Sequence, residues 1–89
     1  MQAGSSDLTL FPNPNTGSFT LSGTVGAGQD KEVELEVMDM LGRTVYAGKT
    51  MPQNGTVRAD IKLGNEAAGS YLLRVNTETG TQTFHFVIR

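Results

Sequence analysis

In its clearest runs this chain alternates apolar and polar residues one for one. From Glu32 to Met38, Val33, Leu35 and Val37 fall on one side and Glu32, Glu34 and Glu36 on the other. From Thr56 to Leu63, Val57, Ala59, Ile61 and Leu63 alternate with Thr56, Arg58, Asp60 and Lys62. Successive side chains of a strand point to opposite faces, so a period of two marks a strand with one face buried. No window carries an apolar stripe of useful length at helical spacing. A chain made of such segments hides its apolar faces by laying one sheet on another.

The remaining runs fit the same reading. Asp7 to Phe11 is a first strand, and Ser18 to Ser22 a second with Phe19 and Leu21 on one face. Arg43 to Lys49 is expected to place Val45 and Ala47 inward, with Thr44 and Tyr46 outward. Ser70 to Asn76 turns Tyr71, Leu73 and Val75 to one face and Leu72 to the other. In Thr81 to Arg89, Phe84, Phe86 and Ile88 point inward and His85 faces solvent. Turn chemistry separates these runs: Gly23 to Asp30, Asp39 to Arg43, Asn54-Gly55, Gly64 to Gly69 and Thr77 to Gly80. Between the first two strands stands Pro12-Asn13-Pro14-Asn15-Thr16-Gly17. Each proline fixes its own φ and has no amide hydrogen for a ladder, which makes this a corner or an edge. Gly17 accepts a positive φ without steric cost. The count is seven short strands with regular turn signals, and the expected fold is all-β, a seven-stranded immunoglobulin-like β-sandwich.

At 89 residues the chain has the length of one small domain. Its hydrophobic share of 37% supports a core. A net charge of −2 with no basic patch argues against nucleic acid or an anionic membrane as partner. The absence of cysteine removes disulfides, thiolate metal sites and a cysteine nucleophile. Residues 1–6 show neither the basic nor the apolar region of a signal peptide, and Gly4-Ser5-Ser6 reads as linker. Residues 1–6 are therefore expected to be linker, with Met1 an added residue, and residues 7–89 the domain. On that reading the chain is a piece of a longer exported protein rather than a cytosolic one.

Little here is arranged for catalysis. His85 is the sole histidine and lies on a solvent face, a poor position for a metal ligand or general base. Glu32, Glu34 and Glu36 stand about 6.5–7 Å apart along a strand, and no calcium-loop pattern accompanies them. They are expected to form a solvated face that also guards an edge against aggregation. Asp39 and Asp60 are isolated, suited to a turn and to the solvated face. No cofactor and no enzymatic activity are expected.

Several stretches are familiar in combination: Phe11 to Gly17 followed by Phe19 and Leu21; Val37 to Val45, containing Leu41-Gly42-Arg43; Ala68 to Val75, containing Gly69-Ser70-Tyr71; and Thr83 to Arg89. In this order the chain closely resembles the type A C-terminal sorting domain of the type IX (Por) secretion system of Bacteroidota, from Asp7 onward. Pro12, Asn13 and Pro14, followed by Gly17, match that family's Pro-x-Pro corner. Leu41, Gly42 and Arg43 match its Leu-Gly-Arg turn, and Gly69 and Tyr71 its Gly-x-Tyr entry to the penultimate strand. Phe84, Phe86, Val87, Ile88 and Arg89 lie in its closing strand. The chain departs from the pattern at Glu66, where that loop usually carries an apolar residue.

The resemblance implies a signal carried by a larger cargo protein and read by type IX translocon components. The cargo would cross the periplasm and end at the cell surface or secreted. It further implies a sortase-like C-terminal signal peptidase that removes the domain, near Gly4-Ser5-Ser6 or before Met1, and leaves the cargo anchored or released. The closing strand could be read by strand addition or by capture of the chain end, and an exposed edge allows a β-edge dimer of the isolated domain. Two other readings compete. A carbohydrate-binding or adhesive module would need exposed aromatics, for which Tyr46 is the candidate. A structural spacer would be favoured by a coding sequence continuing past Arg89.

Overall fold

The computed structural model describes residues 7–25, 31–64, 66–77 and 80–89. The linker reading of residues 1–6, and parts of the expected connections at 26–30, 65 and 78–79, lie outside these. Seven strands follow one another: β1 (Asp7–Phe11), β2 (Ser18–Thr24), β3 (Val33–Asp39), β4 (Thr44–Thr50), β5 (Thr56–Lys62), β6 (Gly69–Thr77) and β7 (Gly80–Ile88). They form a three-stranded sheet of order β1-β2-β5 and a four-stranded sheet of order β4-β3-β6-β7. Every pairing within the sheets is antiparallel. The chain changes sheet between β2 and β3, between β4 and β5, and again between β5 and β6, as expected for an immunoglobulin-like sandwich.

The core lies between the sheets and is built from the alternating positions. Leu21, Val57 and Ile61 of the smaller sheet face Val37, Leu73, Val75 and Phe86 of the larger, each at most 1% exposed. Burial of such side chains stabilises the fold by about 1.5–3 kcal/mol apiece. Expected and observed strands agree to within about two residues at each end, the usual fraying of element boundaries.

Three expectations are corrected by the pairing. Glu32, Glu34 and Glu36 do not guard an edge, because β3 lies inside its sheet between β4 and β6. Glu36 and Glu32 are joined to their neighbours instead. Glu36 accepts from Thr44 Oγ1 at 2.6 Å and lies 3.4 Å from Arg74, and Glu32 lies 3.5 Å from Lys49. Such exposed pairs contribute only about 0–1 kcal/mol each.

The other two corrections share a cause. Val37 pairs with Tyr46 but Met38 pairs with Thr44, so Val45 is an extra residue in β4. A bulge of one residue moves every later side chain to the opposite face. Tyr46 therefore stands with Val37 on the core side and packs against the core, while Ala47 is exposed beside Glu36. The Tyr46 ring lies over Gly48, where an added Cβ would come 2.7 Å from the phenol oxygen. The exposed aromatic is Phe11, at 43%, and the aromatic that a carbohydrate site was expected to use is turned inward.

Candidate functional site

The strand registers gather the sequence motifs at one pole of the sandwich. In the smaller sheet Phe11 pairs with Thr20 and Ser18 with Lys62, so β1 and β5 end where β2 begins. In the larger sheet Asp39 pairs with Tyr71 and Gly69 with Ile88, so β3 and β7 end where β6 begins. The two sheets are joined there by an Asn15–Ile88 bridge, and a hydrogen bond from Leu63 N to Gly17 O continues the β2–β5 pairing beside it. The proline corner, the Leu-Gly-Arg turn, the Gly-x-Tyr entry and the end of β7 thus share one end of the molecule, although 76 positions separate Pro12 from Ile88 along the chain.

The corner connects β1 to β2, with cis bonds at Phe11–Pro12 and Asn13–Pro14. It does more than turn the chain. The Asn13 side-chain amide accepts from Val87 N at 3.0 Å and donates to His85 O at 3.2 Å. Asn15 continues the pairing through its backbone, donating to Val87 O and accepting from Arg89 N, both at 2.9 Å. The Asn15 side chain is buried, and both ends of its amide are satisfied: Oδ1 accepts from Gly17 N and Nδ2 donates to Pro12 O. A buried polar side chain left unpaired would be destabilising, so this full set of partners fixes the corner's shape. The outer edge of β7 from His85 to Arg89, which strand addition would have used, is occupied by the chain itself.

The Leu-Gly-Arg turn closes the β3–β4 hairpin. Asp39 organises it: its carboxylate accepts from Leu41 N at 2.9 Å, Arg43 N at 3.0 Å and Arg43 Nε at 2.8 Å. Gly42 N donates to Asp39 O at 3.0 Å. Fixed this way, the turn holds Leu41 81% exposed and its neighbour Met40 61% exposed. The Arg43 N–H bonded to the carboxylate is the largest influence holding Asp39 below its ordinary value of 3.8; the Arg43 guanidinium and the Leu41 N–H act the same way, against an opposing desolvation. A depressed carboxylate stabilises the folded turn above the ordinary value, and that contribution is lost as pH falls through the lowered folded value. The Leu41 and Arg43 amide resonances are expected to stay constant from neutral pH down to about 4 and to shift below it, and Asp39→Asn should abolish that transition.

At the start of β6, Tyr71 is buried and stacks on Phe86, with ring centroids 5.8 Å apart. Its hydroxyl donates to Ala67 O at 2.5 Å. This is the tyrosine corner of immunoglobulin-like sandwiches, a hydroxyl tying the loop before the sixth strand to that strand. Phe86 also meets Phe19 at 4.6 Å. Ile88 is buried, Phe84 and Val87 are half-buried, and Arg89 is exposed. The motif residues therefore divide. Tyr71, Phe86 and Ile88 build the pole from inside, whereas Leu41 and Arg43 are presented to solvent. Sequence reasoning puts Asn15 in the turn but not among the site residues; its place two residues before Gly17 was the available signal, since asparagine accepts from the backbone two residues on. Among the described residues no group of three or more His, Cys, Asp or Glu is placed to hold a metal ion.

The secretion system C-terminal sorting domain family matches residues 9–89. The chain belongs to this family. As a sorting domain it is of the type IX (Por) secretion system, a family that implies export to the cell surface or secretion. No curated protein sequence matches it. Among solved structures, β-glucosidase from Listeria innocua in complex with glucose is similar over 94% of this chain and 16% of that one, at 16% identity and a TM-score of 0.49. At that similarity neither the enzyme's activity nor its ligand passes to this sorting domain.

Proposed function

We propose that this sorting domain directs a larger cargo through the outer membrane of a Bacteroidota cell, and that translocon components read it at the motif-bearing pole. The cargo reaches the periplasm first. A sortase-like peptidase then removes the domain upstream of β1, and the cargo is anchored or released. The observation that carries the reading is the family match over residues 9–89. The geometry supports the choice of pole, because the buried motif residues hold rigid a surface on which Leu41 stands 81% exposed. An apolar side chain held out on a fixed turn gains when a partner covers it, and a few such anchors commonly dominate an interface.

Residues 1–89 fused to a periplasmic reporter, in a host with a type IX system, are expected to carry the reporter to the surface or the medium. Retention in the periplasm, where a known sorting domain is exported, would refute the reading. Leu41→Asp tests the pole separately. It should leave thermal stability within about 0.5 kcal/mol, as for other exposed positions, and lower export about tenfold, the loss of one interface anchor. Unchanged export with Leu41→Asp would remove this pole from recognition while leaving the sorting function in place.

A further inference from the structure

An immunoglobulin-like sandwich has open edges, and each strand with free backbone groups can recruit another. Three of the four edge strands here carry evident protection. β1 is only five residues long. β4 is bulged at Val45 and carries Lys49. β5 places Arg58, Asp60 and Lys62 along its exposed face. β7 has none of these. It is nine residues long and lacks Lys, Asp and Glu throughout. Its segment Phe84-His85-Phe86-Val87-Ile88 is apolar apart from one histidine and holds neither proline nor glycine, the composition that favours cross-strand stacking between chains.

We propose that Asn13 and Asn15 are an edge lock: they occupy the outward backbone groups of β7 from His85 to Arg89 and so keep a second copy of this chain from pairing there. Val87 N, Val87 O, His85 O and Arg89 N are the groups a new strand would need, and the corner satisfies all of them at 2.9–3.2 Å. Asn13 does so with a side-chain amide, which carries the same donor and acceptor as a peptide group but cannot extend into a longer strand. The lock covers the aggregation-prone half of β7. The half left open, Gly80 to Thr83, contains only glycine, threonine and glutamine. The isolated domain is therefore monomeric at this edge, in place of the terminal-strand dimer that an uncovered edge would form. This inference does not rest on the export reading.

Hydrogen exchange and sedimentation on residues 1–89 test it. In the wild-type protein the Val87 amide, which points away from β6, should be protected like an interior ladder amide, and the protein should sediment as a monomer across a concentration series. A Val87 amide exchanging as fast as an open edge, or a wild-type dimer paired through residues 85–89, overturns the lock. Asn13→Ala should speed Val87 exchange about tenfold, the size of one hydrogen bond, while Leu73 in the core keeps its protection. Self-association should appear together with that change. Asn13→Leu, which keeps the corner's volume but loses both the acceptor for Val87 N and the donor to His85 O, should do the same. Faster Val87 exchange in variants that remain monomeric would mean that the corner does not prevent pairing, and the proposal fails.

Discussion

Phe86→Ala is expected to lower the melting temperature by about 15–30 °C or to leave the chain largely unfolded at room temperature. Phe86 is fully buried and sits between two other aromatics, Phe19 at 4.6 Å and Tyr71 at 5.8 Å. Truncating a buried phenylalanine costs about 3–5 kcal/mol through lost transfer energy and the cavity left behind. The two ring contacts add about 0.5–1.5 kcal/mol each beyond area burial. A domain of this size has about 0.05–0.15 kcal/mol per residue of stability in total, so one substitution removes much of it. The site is also where the sheets meet, since Phe19 belongs to the smaller sheet and Tyr71 and Phe86 to the larger. Phe84→Ala, two residues away and half-buried, is the comparison: its cost should stay near 1–2 kcal/mol, in proportion to the smaller area it covers (~25 cal/mol per Å²). Circular dichroism melts of the two variants decide the matter, and equal shifts would mean that the aromatic cluster is not the joint between the sheets.

That contrast bears on what the sequence made legible. Period-two alternation put Phe86 and Ile88 inward and His85 outward, because facing depends only on a residue's neighbours in its own strand. It placed Tyr46 wrongly, because the bulge at Val45 is set by pairing with β3 and leaves no trace in the composition of β4. It also could not place the glutamate strand inside its sheet: which strand neighbours which is decided by the fold as a whole, and β3 finds β6 more than thirty residues downstream. The corner shows the same boundary. Its prolines announced a turn, yet the work of Asn13 is done on Val87, 74 residues away. The order of the motifs identified the family, as the match over residues 9–89 bears out. Why the motifs belong together became visible only when the registers brought them to one pole.

Gly23→Ala is expected to separate β1 from the sandwich, at a cost of at least about 3 kcal/mol, the upper end of ordinary overpacking. A Cβ at Gly23 would lie 2.0 Å from Asp7 O and 2.7 Å from the Leu8 Cα. Those atoms are backbone of the paired strand, with Gly23 directly opposite Leu8, so no rotamer change relieves the contact. The backbone at Gly23 has φ +150° besides. Gly69 separates the two causes. It has almost the same angle, φ +152°, but nothing within 4 Å of an added Cβ. Gly69→Ala should therefore cost only the conformational part, about 1–3 kcal/mol, which Gly23→Ala bears in addition to its clash. The consequence of the larger change travels along the chain. β1 carries Leu8 and Leu10 onto the core and delivers the corner that holds β7. Displacing it should speed amide exchange at residues 7–11 first and at Val87 with them, while Leu73 and Val75 in β6 remain protected. If Gly23→Ala and Gly69→Ala destabilise equally in urea, or if Val87 keeps its protection when β1 is lost, then β1 does not position the corner and the pole is built without it.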